Sequence, residues 1–198
     1  MKKEIEKTKM ELRRSRDRQK GIYREKRATI VSASIPKYVS NIDGCTTQAF
    51  PGATIGKLTA LVSSGRINLS SVDFVIIHVG TNNISDSNQS VNTIISYYGD
   101  LIHALKSKTK AKLIFTSILP RLCDHKKTVS KVTAVNSALK DLCKRRHLLF
   151  CNLYRSFLFN NFPDASLYAP ADGLHLNFSG TELFRKKVIN IIKHQSVM

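Results

Sequence analysis

The chain has 198 residues, 42% of them hydrophobic, which suits one domain with a substantial core plus an appendage. Lys and Arg total 32 against 14 Asp and Glu, a formal charge of +18, so a polyanionic partner such as nucleic acid or an anionic membrane surface is expected. No apolar run approaches the ~20 residues that span a bilayer, and the charged N-terminus lacks the apolar core of a secretory signal.

The elements then follow in chain order. Residues 1–27 hold 12 basic and 5 acidic residues, with few apolar ones, and read as a solvated basic helical arm. The arm is expected to carry contacts to nucleic acid or an anionic membrane. Residues 28–198 have a different texture and read as one α/β domain. Ala28 to Ser32 is strand-like, Pro36 suits a first helical turn, and Cys45 to Phe50 is a second short strand. Ile55, Leu58, Leu61 and Val62 share a helical face. Phe74 to Ile77 is a continuous apolar run, as a strand covered on both faces requires, and Gly80-Thr81-Asn82-Asn83 reads as the polar turn that ends it. Val91 to Leu105 is an amphipathic helix, Lys112 to Leu119 a fourth strand stopped by Pro120, Val132 to Cys143 another helix, and Leu148 to Asn152 a fifth strand. Residues 154–171 show no period and read as an irregular loop. Ser179 and Glu182 are spaced as a capping box for the last helix. Five strands alternating with helices predict a mostly parallel five-stranded sheet wrapped on both faces, a three-layer sandwich.

In such sheets, ligands sit beyond the carboxyl ends of the strands. Ser32-Ala33-Ser34, Pro51-Gly52 and Gly80-Thr81-Asn82-Asn83 all follow strands, and Asp172-Gly173-Leu174-His175 precedes the last helix. A carboxylate three residues ahead of a histidine can accept its Nδ1–H and orient the ring, leaving Nε2 to take a proton from a serine hydroxyl. Backbone N–H groups at Ser34 and Gly52, with the Asn82 amide, would be donors for a developing oxyanion. The four cysteines (Cys45, Cys123, Cys143, Cys151) show no CxxC pairing, which fits a reduced, cytoplasmic setting. With no Gly-rich phosphate loop and no metal-ligand cluster in the sequence, neither cofactor nor metal is expected. His78, at the end of an apolar strand, reads as a core residue. Lys126-Lys127 and Lys144-Arg145-Arg146 read as solvated faces, and Arg121 as a group placed to meet an acidic part of a substrate.

Ser34, Gly52, Asn82 and the pair Asp172 and His175 stand in the order of the four blocks of the SGNH, or GDSL-type, hydrolases, which the chain resembles over roughly residues 28–195. HVGTNN and DGLHLNFSG carry most of the resemblance. The first block departs from it: Ser32-Ala33-Ser34 stands where the family has Gly-Asp-Ser, and Asn83 where the third block has Asp. The resemblance implies a flavodoxin-like SGNH architecture and a metal-independent serine esterase. In that reading Ser34 is the nucleophile, His175 the base and Asp172 its orienting acid. Ser34, Gly52 and Asn82 form the oxyanion hole, and the substrate is a small-molecule or lipid ester, acetyl-type for preference. The chain is also similar to the esterase domains encoded in the first open reading frame of LINE-type retrotransposons, where a basic or coiled-coil segment precedes an SGNH domain. A rival reading, from the charge and the altered first block, is a nucleic-acid-binding accessory protein with a weakened or inactive hydrolase site.

Overall fold

The computed structural model describes residues 2–19 and 26–195. Of the arm expected over 1–27, residues 2–19 form helix α1 (Lys2–Gln19), with Ile5, Met10 and Leu12 exposed on it, and residues 20–25 lie outside the described residues.

The domain begins with β1 (Ala28–Ser32), β2 (Cys45–Ala49), α2 (Ile55–Ser63) and β3 (Phe74–His78), and continues through α3 (Thr81–Ser85), α4 (Val91–Lys108), β4 (Lys112–Thr116), α5 (His125–Arg145) and β5 (Leu149–Cys151). These five strands pair in parallel in the order β2-β1-β3-β4-β5. That is the doubly wound order in which the connections diverge between β1 and β3, leaving a crevice at their carboxyl ends. Period-two alternation sends side chains to opposite faces. Val31, Val75, Ile77, Leu113 and Phe115 pack beneath α2, α4 and α5. Ile30, Phe74, Ile76 and Ile114 pack beneath the last helix, α6 (Phe178–Gln195), through Phe184 and Val188. With about 25 cal/mol per Å² of apolar surface removed from water, these two cores are the main force holding the layers together.

Four local departures from the sequence pattern have physical causes. β4 stops at Thr116 rather than Leu119 because the Asn136 side chain, from α5, takes both Ile118 backbone groups, at 2.8 Å to the N–H and 2.9 Å to the carbonyl. The polar turn after β3 is wound into the short helix α3, with Gly80 O accepting from the Asn83 and Ile84 amides. Residues 154–171 are more ordered in pattern than an irregular loop: two 3₁₀ turns (Tyr154–Phe157, Ala165–Leu167) bracket a hairpin of β6 (Leu158–Phe159) and β7 (Phe162–Pro163). The Ser179 capping box does not form. Ser179 lies inside α6, and Asn177 caps it instead, its Oδ1 accepting the Gly180 N–H at 3.0 Å. The Asn177 amide donates to Ser166 O and Tyr168 O, so the same side chain pins the 154–171 segment to the helix start. Glu182 pairs forward with Arg185 rather than back to a cap.

Candidate active site

The sheet order sets the positions. Ser32 O accepts from Phe50 N and His78 O from Ala33 N, so the backbone beyond β1 stays tied to its two neighbours before it turns. Ser34 opens that turn and leads into the 3₁₀ segment Ile35–Tyr38, whose Ile35 and Pro36 are buried. The serine itself is 8% exposed.

His175 comes from the far end of the chain, yet its Nε2 lies 2.8 Å from Ser34 Oγ. Its Nδ1 lies 2.6 Å from Asp172 Oδ2. The other Asp172 oxygen accepts two backbone N–H groups, from Leu174 at 2.8 Å and His175 at 2.9 Å. The loop between them is therefore closed by its own acid. The His175 hydrogen bond, with that of the Leu174 amide behind it, pulls the Asp172 carboxyl down to about 2. A carboxylate at that position holds the Nδ1–H tautomer and leaves Nε2 with its lone pair facing the hydroxyl.

Pro51-Gly52 forms a tight turn, with Ala53 N donating to Phe50 O, and Gly52 has φ +73°, which an L side chain rarely adopts. The Asn82 amide donates to Ala53 O at 2.9 Å, which sets Asn82 beside the Gly52 turn and leaves its second N–H available. Among the described residues, neither the Ser34 N–H nor the Gly52 N–H donates to a protein group. The structure thus brings Ser34, His175 and Asp172 into one hydrogen-bonded chain and places Asn82 against the Gly52 turn.

Residues to which the sequence pattern gave no scaffolding part hold these pieces in place. Asn83 is buried; its Oδ1 accepts the Ile55 N–H that opens α2, and its amide donates to Gln89. An aspartate could supply the first of these bonds but not the second, so Asn83 is fitted to its surroundings. Ala33, where the resembled family has an acid, is 2% exposed and packed in the core beneath α2 and α4. Arg121 is not free to meet a substrate. It is buried, forks onto both Asp124 oxygens at 2.8 and 2.7 Å, and donates through Nη1 to Thr81. Burial works against its charge, but the hydrogen bonds to Asp124 outweigh that cost and raise its pKa. The only sequence cue was an Asp three residues after an Arg. His78 is a core residue: its Nδ1 lies 2.8 Å from Thr116 Oγ1, its ring packs edge-on to Phe184, and burial pushes its pKa down to about 4. The cysteines are free thiols, with burial raising Cys45 to about 11 and Cys143 to about 12. Among the described residues no cluster of three His, Cys, Asp or Glu side chains could hold a metal, and no helix is long and apolar enough to cross a membrane.

A parallel α/β sheet with a serine, histidine and aspartate linked at its carboxyl edge defines the class of arrangement used for acyl transfer. The sequence model of the GDSL-like lipase/acylhydrolase family matches residues 18–183, and the chain belongs to that family of ester hydrolases. Solved bacterial structures show the same fold. A GDSL-like lipase from Bacteroides thetaiotaomicron is 18% identical with a TM-score of 0.73, covering 92% of this chain and 98% of its own. The lipase/acylhydrolase from Enterococcus faecalis is 18% identical with a TM-score of 0.68, over 85% and 96%. The esterase domain of the ZfL2-1 ORF1 protein from a zebrafish retrotransposon is 24% identical over 84% and 98%, with a TM-score of 0.47. No curated protein matches the chain.

Proposed function

We propose that the protein is a serine esterase acting on carboxylic esters with short, acetyl-type acyl groups, with Ser34 as nucleophile, His175 as general base and acid, and Asp172 as the group that orients it. The observation that carries this reading is the unbroken chain Ser34 Oγ to His175 Nε2 (2.8 Å) and His175 Nδ1 to Asp172 Oδ2 (2.6 Å). Ser34 Oγ attacks the ester carbonyl carbon as its proton passes to Nε2, and the carbonyl oxygen takes the negative charge. The Ser34 and Gly52 N–H groups and the Asn82 amide stabilise that oxyanion. Collapse expels the alcohol, which takes the proton from Nε2. Water then attacks the acyl-serine by the same route, and the acid leaves with Ser34 restored. Short acyl groups are supported by the likeness of the motif set to its family.

Hydrolysis of p-nitrophenyl acetate and butyrate beside Ser34→Ala and His175→Ala tests the reading. Turnover should vanish in both variants with their melting temperatures preserved, and acetate should be preferred. Full activity in Ser34→Ala would remove Ser34 from the mechanism. A folded but inert wild type would favour the rival in which Ala33 marks a disabled site.

A further inference from the structure

The edge of the sheet opposite the candidate active site carries a different kind of surface. The loops that enter β4 and β5, together with the last turns of α4 and α5, enclose a groove of about 740 Å³. Its lining contains Lys106, Lys110, Lys112, Arg146 and His147, and no carboxylate. Lys108, Lys144 and Arg145 lie within two residues of that lining in the chain, and all eight side chains are exposed. No Asp or Glu occurs between Asp100 and Asp124, or between Asp141 and Asp164. Among the described residues, none of the seven lysine and arginine side chains is ion-paired. Lys26 and Arg27, exposed and immediately ahead of β1, lie at the same end, where the Arg27 N–H donates to Asp73.

Cations in the last turn of a helix are ordinary, because they offset the helix dipole. That accounts for Lys106, Lys108, Lys144 and Arg145. It does not account for Lys110 and Lys112, which lie in the connecting loop and at the start of a strand. Nor does it explain why the groove's own lining holds no acid. Holding this many like charges around a concavity is unfavourable unless an anion neutralises them.

We infer that this groove binds the phosphate backbone of a single-stranded nucleic acid, on the face opposite the esterase site. A membrane surface fits less well. The exposed large hydrophobic side chains of the domain (Tyr38, Phe159, Phe162, Phe178) belong to none of the segments that form this groove, so nothing beside it would insert into lipid. A concave, cationic track matches a flexible polyanion instead. Five residues of parallel strand, roughly 17 Å, separate the groove from the site, so both can be occupied together.

The test is fluorescence anisotropy of a labelled single-stranded RNA 20-mer with the full chain, titrated with salt. Three proteins are compared: wild type, the groove variant Lys106→Gln/Lys110→Gln/Arg146→Gln, and the arm variant Arg13→Gln/Arg14→Gln/Arg16→Gln. Each phosphate that the protein no longer neutralises should flatten the log K against log salt slope by roughly 0.7 for a single strand. The groove variant should therefore lose about 2 from the slope and bind at least roughly tenfold more weakly near 0.1 M salt. Its p-nitrophenyl acetate turnover should stay at the wild-type value. Wild-type affinity and slope in the groove variant, with only the arm variant weakened, would overturn the inference. So would loss of sedimentation with vesicles containing phosphatidylserine while RNA binding is unchanged.

Discussion

The Arg121 guanidinium reaches back 40 residues to donate to both oxygens of Thr81, at 2.9 Å to the carbonyl and 3.0 Å to the hydroxyl. Thr81 is the residue before Asn82. One residue beyond Leu122, Cys123 N donates to Gly173 O, inside the loop that carries Asp172 and His175. The segment 120–124 is therefore a brace between the loop holding Asp172 and His175 and the turn holding Asn82. Arg121→Gln should lower kcat about 10- to 100-fold with KM within about twofold, since misplacing a catalytic group by an ångström costs that much. In an Asn82→Ala background the same change should have little further effect, because it acts through Asn82. Fully additive losses would show that Arg121 does not position Asn82. The Asp124→Asn variant, which weakens the fork without removing the guanidinium, should give a smaller loss of the same kind.

Asn82→Ala removes a side-chain donor and leaves the Ser34–His175–Asp172 chain intact. The expected result is a loss of roughly 100-fold or more in kcat, as for other oxyanion donors. The acyl-enzyme should still form, only slowly, so labelling of Ser34 by a fluorophosphonate probe should persist. A variant with wild-type kcat would leave the oxyanion to the backbone N–H groups alone.

Asp172 is held near a pKa of about 2, below the ordinary carboxylate value of 3.8, by its bond to His175. A depressed folded pKa means that its contribution is present above pH 3.8 and is lost only as the pH falls through about 2. No loss of activity between about pH 4 and 9 should therefore trace to protonation of Asp172. Asp172→Asn exchanges the acceptor for a donor at any pH and favours the wrong tautomer of His175, so kcat should drop by about 10⁴ near neutral pH. A fall of less than tenfold would show that the imidazole is oriented by something else.

His78 is buried and neutral, with Thr116 donating its own hydroxyl to Ile77 O and so accepting from Nδ1–H. Burial lowers its pKa from 6.5 to about 4. The unfolded chain thus takes up a proton more readily than the folded one between these values. Stability should be unaffected above pH 6.5, and should fall progressively, by about 3 kcal/mol in all, as the pH drops from 6.5 to 4. Urea midpoints at about pH 7.5, 5.5 and 4.5 read this directly. His78→Gln should be less stable near neutral pH but should lose less on acidification, and an unchanged pH slope would assign the effect elsewhere.

Gly80 has φ +121°, and a Cβ there would lie 2.5 Å from Tyr98 Oη and 2.8 Å from Ile118 Cδ1. Tyr98 is buried and its hydroxyl is committed to Val79 O, so it has nowhere to yield. Gly80→Ala should destabilise by roughly 2–4 kcal/mol, combining backbone strain with overpacking. Because Asn82 is two residues on, kcat should fall as well. A melting temperature within a degree of wild type would show that the turn relaxes freely.

The five strands of the main sheet, the amphipathic helices and the order of Ser34, Gly52, Asn82, Asp172 and His175 were legible in the amino-acid sequence, because each depends on local chemistry. Phe74 to His78 is buried on both faces and is apolar except at its last residue; Ile55, Leu58 and Val62 repeat on one helical face. What the chain order could not show is which polar side chains are spent on holding other parts together. Arg121 looks like a free cation until Thr81 and Asp124 are folded against it. Asn177 caps α6 in place of Ser179 because the same amide also ties down residues 166 and 168. Asn136 ends β4 from a helix 18 residues away. Hydrogen-bonding groups pair with whatever the packed layers bring within about 3 Å, and long-range pairing of that kind leaves no periodic signal. Local pattern fixes which elements form and where their apolar faces lie. The parallel stacking of β1 beside β3, with α6 closing the second face, decides that a serine at position 34 and a histidine at position 175 meet.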